Sequence, residues 1–188
     1  MVKYICRSIY FYTVLFVFLK ALVIILYNVG DKVLYPMHGA GIIEKIESQD
    51  ILGNVKDYYV LKMPMDGMKV KIPVDNADVI GVRTVIDTKE ADAVFEFIEK
   101  YQGEFNSNWN KRYRENIAHI KSGDVYEVAG VVKMLMCRDK EKTLSSGERK
   151  MLVSAKQILI SEIMLSKNVS SDKVEDKLKK IIDRAVGK

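Results

Sequence analysis

The spacing of apolar residues changes once along this chain, between Arg83 and Asp87, and that change constrains the fold more than any other feature. Before it, short apolar and β-branched runs (KVLYP at 32–36, GIIEKIE at 41–47, DYYVLKM at 57–63, KVKIPV at 69–74) alternate with turn signals at HGAG (38–41), LGN (52–54) and Asp66-Gly67. In Lys69-Val70-Lys71-Ile72 the lysines fall on one face and the apolar residues on the other, as a two-residue period requires. Asp66-Gly67 suits a tight hairpin, because glycine accepts positive φ. Four or five strands in about 55 residues predict a small barrel of SH3-like size over 27–84.

After Asp87 the period becomes helical. Asp87 with Glu90, Asp124 with Glu127, and Ser145 with Glu148 have capping-box spacing. The apolar residues that follow repeat every three or four positions: Val94, Ile98 and Tyr101; Val128, Val131, Val132 and Leu135; Met151, Leu152, Ala155, Ile158 and Leu159. Further helices are expected near Asn108, with Tyr113, Ile117 and Ile120 on one face, and from Ser171, with Val174, Leu178, Ile181 and Ile182. The prediction is an α+β chain of two domains, with an all-α bundle of about five helices over 87–186. Apolar content of 48% and charged content of 29% agree with a globular protein.

Ahead of both lies an extra apolar segment over 1–26. Its core, IYFYTVLFVFLKALVIILY (9–27), is long enough to span a bilayer, with Lys20 as a costly interruption. Lys3 and Arg7 would also suit the basic start of an uncleaved signal sequence. A third reading makes it an upstream stretch absent from the native protein, whose first residue would then lie near Leu26. The positive-inside rule would export everything after a genuine anchor. An intracellular role therefore favours the third reading, and a membrane partner is expected only if residues 1–26 are genuine.

Charge is uneven. Residues 28–100 carry 9 basic and 13 acidic side chains, whereas residues 101–188 carry 18 basic and 12 acidic. The basic half suits a polyanion, although a solvated helical surface reaches the same balance. Cys6 and Cys137 form neither a disulfide framework nor a zinc signature, which fits a reducing compartment. His38 and His119 lack ligand-spaced Cys, Asp or Glu partners, and Asp75 and Asp78 read as loop residues. Gly39-x-Gly41 has Glu44 where a dinucleotide fingerprint requires a third glycine. No enzyme, cofactor or metal site is expected.

Two features suit an interaction protein. The strand with Lys69 and Lys71 is either a hairpin with a solvated face or an edge that pairs with a partner's strand. The sole tryptophan, Trp109, is either a partly buried core residue or an exposed contact. Asn108 and Asn110 flank it at a helix start, and Lys111, Arg112 and Arg114 follow. Such a start suits a phosphate backbone, and an apolar wedge beside it can unstack a base step. Arg149 and Lys150, after the Ser145 cap, join this cluster if the two helix starts converge.

The stretches VGDKVLYPMHGAGIIEKIE (29–47), YYVLKMPMDGMKVKIPVDNADVIGVR (58–83), NWNKRYRENIAHIKSGDVYEVAGVV (108–132) and LSSGERKMLVSAKQILISEI (144–163) closely resemble the CarD/CdnL family of bacterial transcription regulators. The resemblance runs from about Tyr27 to about Ile182, with both parts in the family's order. The β part alone is also similar to the polymerase-binding module of transcription–repair coupling factors. The resemblance implies a Tudor-like domain that docks on the β subunit of RNA polymerase, and a helical domain that contacts promoter DNA in the minor groove with weak sequence specificity. It implies that Trp109, preceded by Asn108, wedges into the upstream edge of the melted bubble and stabilises the open complex. Arg112, Arg114, Arg149 and Lys150 would supply basic support. The polymerase contact would comprise Gln49, Ile51, Lys69, Lys71, Ile72 and Pro73, with Gln49 standing where some relatives carry Arg. The family has no leader like residues 1–25. A cytoplasmic monomer, associated with the nucleoid through polymerase, is expected. The reading from a different class is a membrane-tethered SH3-like adaptor without a DNA role.

Overall fold

The computed structural model describes residues 27–103 and 108–187, so the apolar segment 1–26 lies outside the described residues. Strands β1 (Lys32–Tyr35), β2 (Gly39–Ile51), β3 (Asn54–Lys62), β4 (Lys69–Pro73) and β5 (Arg83–Thr84) form one antiparallel sheet in the order β4-β3-β2-β1-β5. The expected alternation holds in β4, where Lys69 and Lys71 are exposed and Ile72 is buried. A two-residue turn, Leu52-Gly53, joins β2 to β3, and both residues have positive φ (56° and 82°). That is the signature of a type I′ turn, whose twist matches the flanking strands.

The tight hairpin expected at Asp66-Gly67 is instead a longer connection, because the register pairs Lys62 with Lys69 and leaves 63–68 between the strands. Gly67 does take a positive φ of 69°, while the Asp66 side chain accepts from the backbone N–H of Met68 at 2.9 Å. Asp75 and Asp78 also depart from the loop expectation. Asp75 lies in a 3-10 turn (Val74–Asn76), and Asp78 in the one-turn helix α1 (Ala77–Ile80).

The helical half comprises α2 (Thr88–Lys100), α3 (Trp109–Ser122), α4 (Val125–Glu141), α5 (Ser146–Lys167) and α6 (Ser171–Val186). Asp87, Asn108 and Asp124 each cap a helix by accepting backbone N–H groups, and Ser145 with Glu148 completes a reciprocal capping box. The apolar residues predicted for α4, α5 and α6 are buried. Helix α5 is central: it packs on α2, α3, α4 and α6, and also on β2.

Period-two alternation gives β1 and β2 two buried faces. Val33 and Ile43 enter a core with Tyr59, Leu61 and Ile72 of the neighbouring strands and with Ala77 and Val82, whereas Leu34 and its register partner Ala40 enter the core of the helices. The junction is close. A Cβ on Gly39 would lie 2.7 Å from Ser161 Oγ on α5, and Gly39 has a φ of 101°, so glycine is required on both counts. The Ser161 hydroxyl accepts from the backbone N–H of Ala40 at 2.9 Å, and Lys32 Nζ donates to the Leu165 carbonyl at 2.7 Å.

Candidate functional site

Asn108 sets the first turn of α3 by accepting the backbone N–H of Lys111 on its side-chain oxygen at 3.1 Å. Trp109 is then the first helical residue, 44% exposed, and its ring stacks on Tyr113 one turn later with centroids 5.2 Å apart and planes 24° from parallel. Both rings rest over Gly147, where a Cβ would stand 3.6 Å from Trp109 Cζ2 and 3.5 Å from Tyr113 Cε2. The indole Nε1 donates to Ser145 Oγ at 3.3 Å. The starts of α3 and α5 therefore converge on the indole, as the pairing of the two basic clusters required. Tyr113, expected on the core face of its helix, lies at the surface at 36% exposure.

Arg112 departs from its expected place among the outward cations. It is buried, and its Nε and Nη2 donate to Glu148 Oε1 at 3.1 and 2.7 Å. Arg138 Nε lies 3.7 Å from the same oxygen. Three residues beyond Trp109, Arg112 faces α5, where the buried Glu148 carboxylate requires a cationic partner. Burial raises the Glu148 pKa, but hydrogen bonds from Arg112 and Ser145 outweigh it, so the carboxyl sits below its ordinary range. Glu148 was legible as a capping residue but not as the anchor of Arg112, because the pairing joins two separate helices.

The outward cations are Lys111, Arg114, Arg149 and Lys150, all exposed within the first two turns of α3 and α5. Lys111 approaches Glu115 at 3.8 Å and Arg149 approaches Asp139 at 3.9 Å, loose contacts that leave both free to bind an anion. Arg114 Nε donates to the Asn110 carbonyl at 3.3 Å. Arg149 and Lys150 line a shallow groove with Ser146, Val153 and Ser154. No acidic residue occupies the first turn of α3, so its positive dipole end and its cations act in the same direction.

The second surface is on the sheet. Pairing of Lys45 with Val60 and of Val60 with Lys71 places these side chains on one face, and the row Glu47, Tyr58, Pro73 follows on the same face. Gln49 and Ile51 continue it along β2, and Lys69 continues it along β4. Ile72 does not belong here. It pairs with Tyr59 and is buried in the opposite face, because one residue of displacement along a strand reverses the side. Glu47 is the member that sequence reasoning missed. It accepts ion pairs from Lys45 at 2.5 Å and Lys71 at 2.6 Å, which hold its carboxyl at a pKa of about 2. Beyond Ile51, Leu52 at the hairpin tip is 97% exposed.

Elsewhere, His38 stacks on Tyr35, and His119 Nδ1 lies 3.3 Å from Glu127 Oε2. Among the described residues no group of three or more His, Cys, Asp or Glu is placed to hold a metal ion, and no helix is long and apolar enough to cross a membrane.

Residues 27–86 match the CarD-like/TRCF RID domain, and residues 93–179 match the C-terminal domain of CarD. The chain belongs to the CarD family. YdeB of Bacillus subtilis (strain 168), named as a candidate transcription factor, is 35% identical over 150 residues, covering 80% of this chain and 98% of that relative. In this CarD-family chain the indole cluster falls within the CarD-specific match, and the lysine-rich sheet face falls within the match shared with the coupling factors.

Proposed function

We propose that this CarD-family protein is a non-catalytic transcription factor that docks on the β subunit of RNA polymerase and stabilises the open promoter complex. The observation that carries the reading is the half-exposed Trp109, stacked on Tyr113 between two helix starts that bear outward cations. An aromatic wedge flanked by phosphate-binding groups suits a partly unstacked step in the minor groove. Lys111, Arg114, Arg149 and Lys150 would hold phosphates, while Asn108 and Arg112 set the helix start from which the indole projects.

Minor-groove readout is degenerate, so one wedge confers little sequence preference and weak, salt-dependent affinity. A polymerase dock makes weak contact sufficient by raising the local concentration of the helical half at the fork. The Tudor-like sheet would supply that dock through Gln49, Ile51, Lys69, Lys71 and Pro73, with Leu52 extending the contact. Ile72 supports this face from below. A regulator of this kind shifts promoters toward the open state only by binding it more tightly than the closed state. The protein would act as a cytoplasmic monomer carried to the nucleoid by polymerase.

The test compares open-complex lifetimes with wild type and with Trp109→Ala, alongside capture of the β subunit. The expected result is loss of most of the lifetime gain with capture unchanged. Wild-type lifetimes with Trp109→Ala would remove the wedge from the mechanism.

A further inference from the structure

We infer that Ser145, locked by Glu148, is a positioning residue that fixes the orientation of the Trp109 indole before any DNA is met. The functional half of this inference rests on the wedge reading above; the structural half does not.

A serine hydroxyl has one proton and two acceptor lone pairs. Here Ser145 Oγ donates to Glu148 Oε2 at 2.8 Å, and the backbone N–H of Ser145 reaches the same oxygen at 3.1 Å. With its proton so engaged, Oγ is left as an acceptor, and two donors point at it: the backbone N–H of Glu148 and the indole Nε1 of Trp109, each at 3.3 Å. Glu148 cannot turn away, because its other oxygen is held by the Arg112 guanidinium. The hydrogen-bonded series Arg112–Glu148–Ser145–Trp109 thus runs from a buried ion pair to a half-exposed ring.

The remaining contacts of the indole confine it without aiming it. Stacking on Tyr113 and contact over Gly147 depend weakly on rotation within the ring plane. A hydrogen bond to Nε1 is directional and selects one orientation. An indole held this way has less rotamer freedom to lose on binding, and a larger fraction of molecules is ready to insert.

Because Trp109 is the only tryptophan, its fluorescence reports this residue directly in the full-length protein. Ser145→Gly is the informative variant, since glycine caps a helix nearly as well as serine yet removes the acceptor. Ser145→Thr restores a hydroxyl. We expect Ser145→Gly to raise quenching of Trp109 by acrylamide. We also expect it to shorten open-complex lifetimes by roughly two- to tenfold, the factor supplied by one hydrogen bond of ordinary net strength. Polymerase capture and the thermal midpoint should stay near wild type, and Ser145→Thr should restore both quenching and lifetime. Unchanged quenching in Ser145→Gly would overturn the inference. So would unchanged lifetimes in Ser145→Gly while Trp109→Ala shortens them. If Trp109→Ala itself leaves lifetimes unchanged, the wedge reading fails instead, and the quenching comparison alone decides whether Ser145 orients the ring.

Discussion

Arg83 and Glu162 join the sheet to α5 through a two-pronged ion pair, Nη1 to Oε1 at 2.5 Å and Nη2 to Oε2 at 3.0 Å. Glu162 is 1% exposed and also accepts the backbone N–H of Ile86 at 3.3 Å. The same guanidinium donates from Nε and Nη2 to the carbonyl of Gly123, the residue that ends α3. The Arg83–Glu162 pair therefore ties β5, the linker, α5 and the far end of the helix that starts at Trp109. The two surfaces of the proposed mechanism sit on a single fixed frame.

Arg83→Ala should cost about 3 kcal/mol of stability, the low end for breaking a buried pair because Arg83 is 33% exposed while the stranded carboxylate is fully enclosed. Urea unfolding measures this directly. A loss within about 0.5 kcal/mol, the range of ordinary surface substitutions, would mean that the junction rests on apolar packing alone.

The basic residues of the candidate DNA surface should divide into two kinds. Arg112→Ala removes the nearest cationic partner of the buried Glu148, leaving Arg138 at 3.7 Å, and should destabilise by about 3 kcal/mol, the low end for breaking a buried pair. Arg114→Ala and Arg149→Ala should leave stability near wild type but lower the slope of log affinity against log salt by about one for each lost phosphate contact. Salt titrations of DNA binding by the polymerase-bound protein distinguish the two. Equal salt slopes for wild type and both outward variants would remove these arginines from the DNA surface.

Acid should weaken the sheet through Glu47. Its folded pKa of about 2 lies below the ordinary 4.5, so the ionised carboxylate with Lys45 and Lys71 favours the folded state. That contribution is complete above pH 4.5 and is lost as pH falls toward about 2. Denaturant midpoints at pH 5 and pH 3 should differ less in Glu47→Gln than in wild type. Equal differences in the two proteins would show that the lysine pairs contribute nothing to folding.

The sequence made the elements legible because their signals are local. The cap at Asn108, the capping box at Ser145 and the alternation in β4 depend on residues within a few positions of one another. Local signals left Trp109 either partly buried or exposed, and its 44% exposure is decided by how α3 packs on α5, since convergence of the two helix starts required that these helices pack as neighbours. Arg112 and Ile72 lie on the opposite side from the neighbours that adjacency in sequence groups them with. Arg112 stands among cationic neighbours in sequence, yet the helix turns it toward Glu148, 36 residues away. Ile72 is adjacent in sequence to Lys71 and Pro73, whereas the pleat sends it to the opposite face. Glu47 as a partner of Lys71 depends on the register of three strands, which composition does not specify.

Leu52 violates local preference and thereby gives the sharpest test of the sheet surface. A residue with a Cβ other than Asn or Asp is strained at positive φ, and an apolar side chain at 97% exposure gains nothing from burial. Asn-Gly is the favoured pair for this turn, so Leu52→Asn should stabilise the fold by about 1 kcal/mol and raise the thermal midpoint by about 2–4 °C. If Leu52 is retained because it contacts polymerase beyond Ile51, the same substitution should weaken capture of the β subunit. A stabilised variant with reduced capture supports the dock at the hairpin tip. A stabilised variant with full capture would confine the dock to the face that bears Gln49, Lys71 and Pro73, leaving Leu52 as a strained residue that serves no contact.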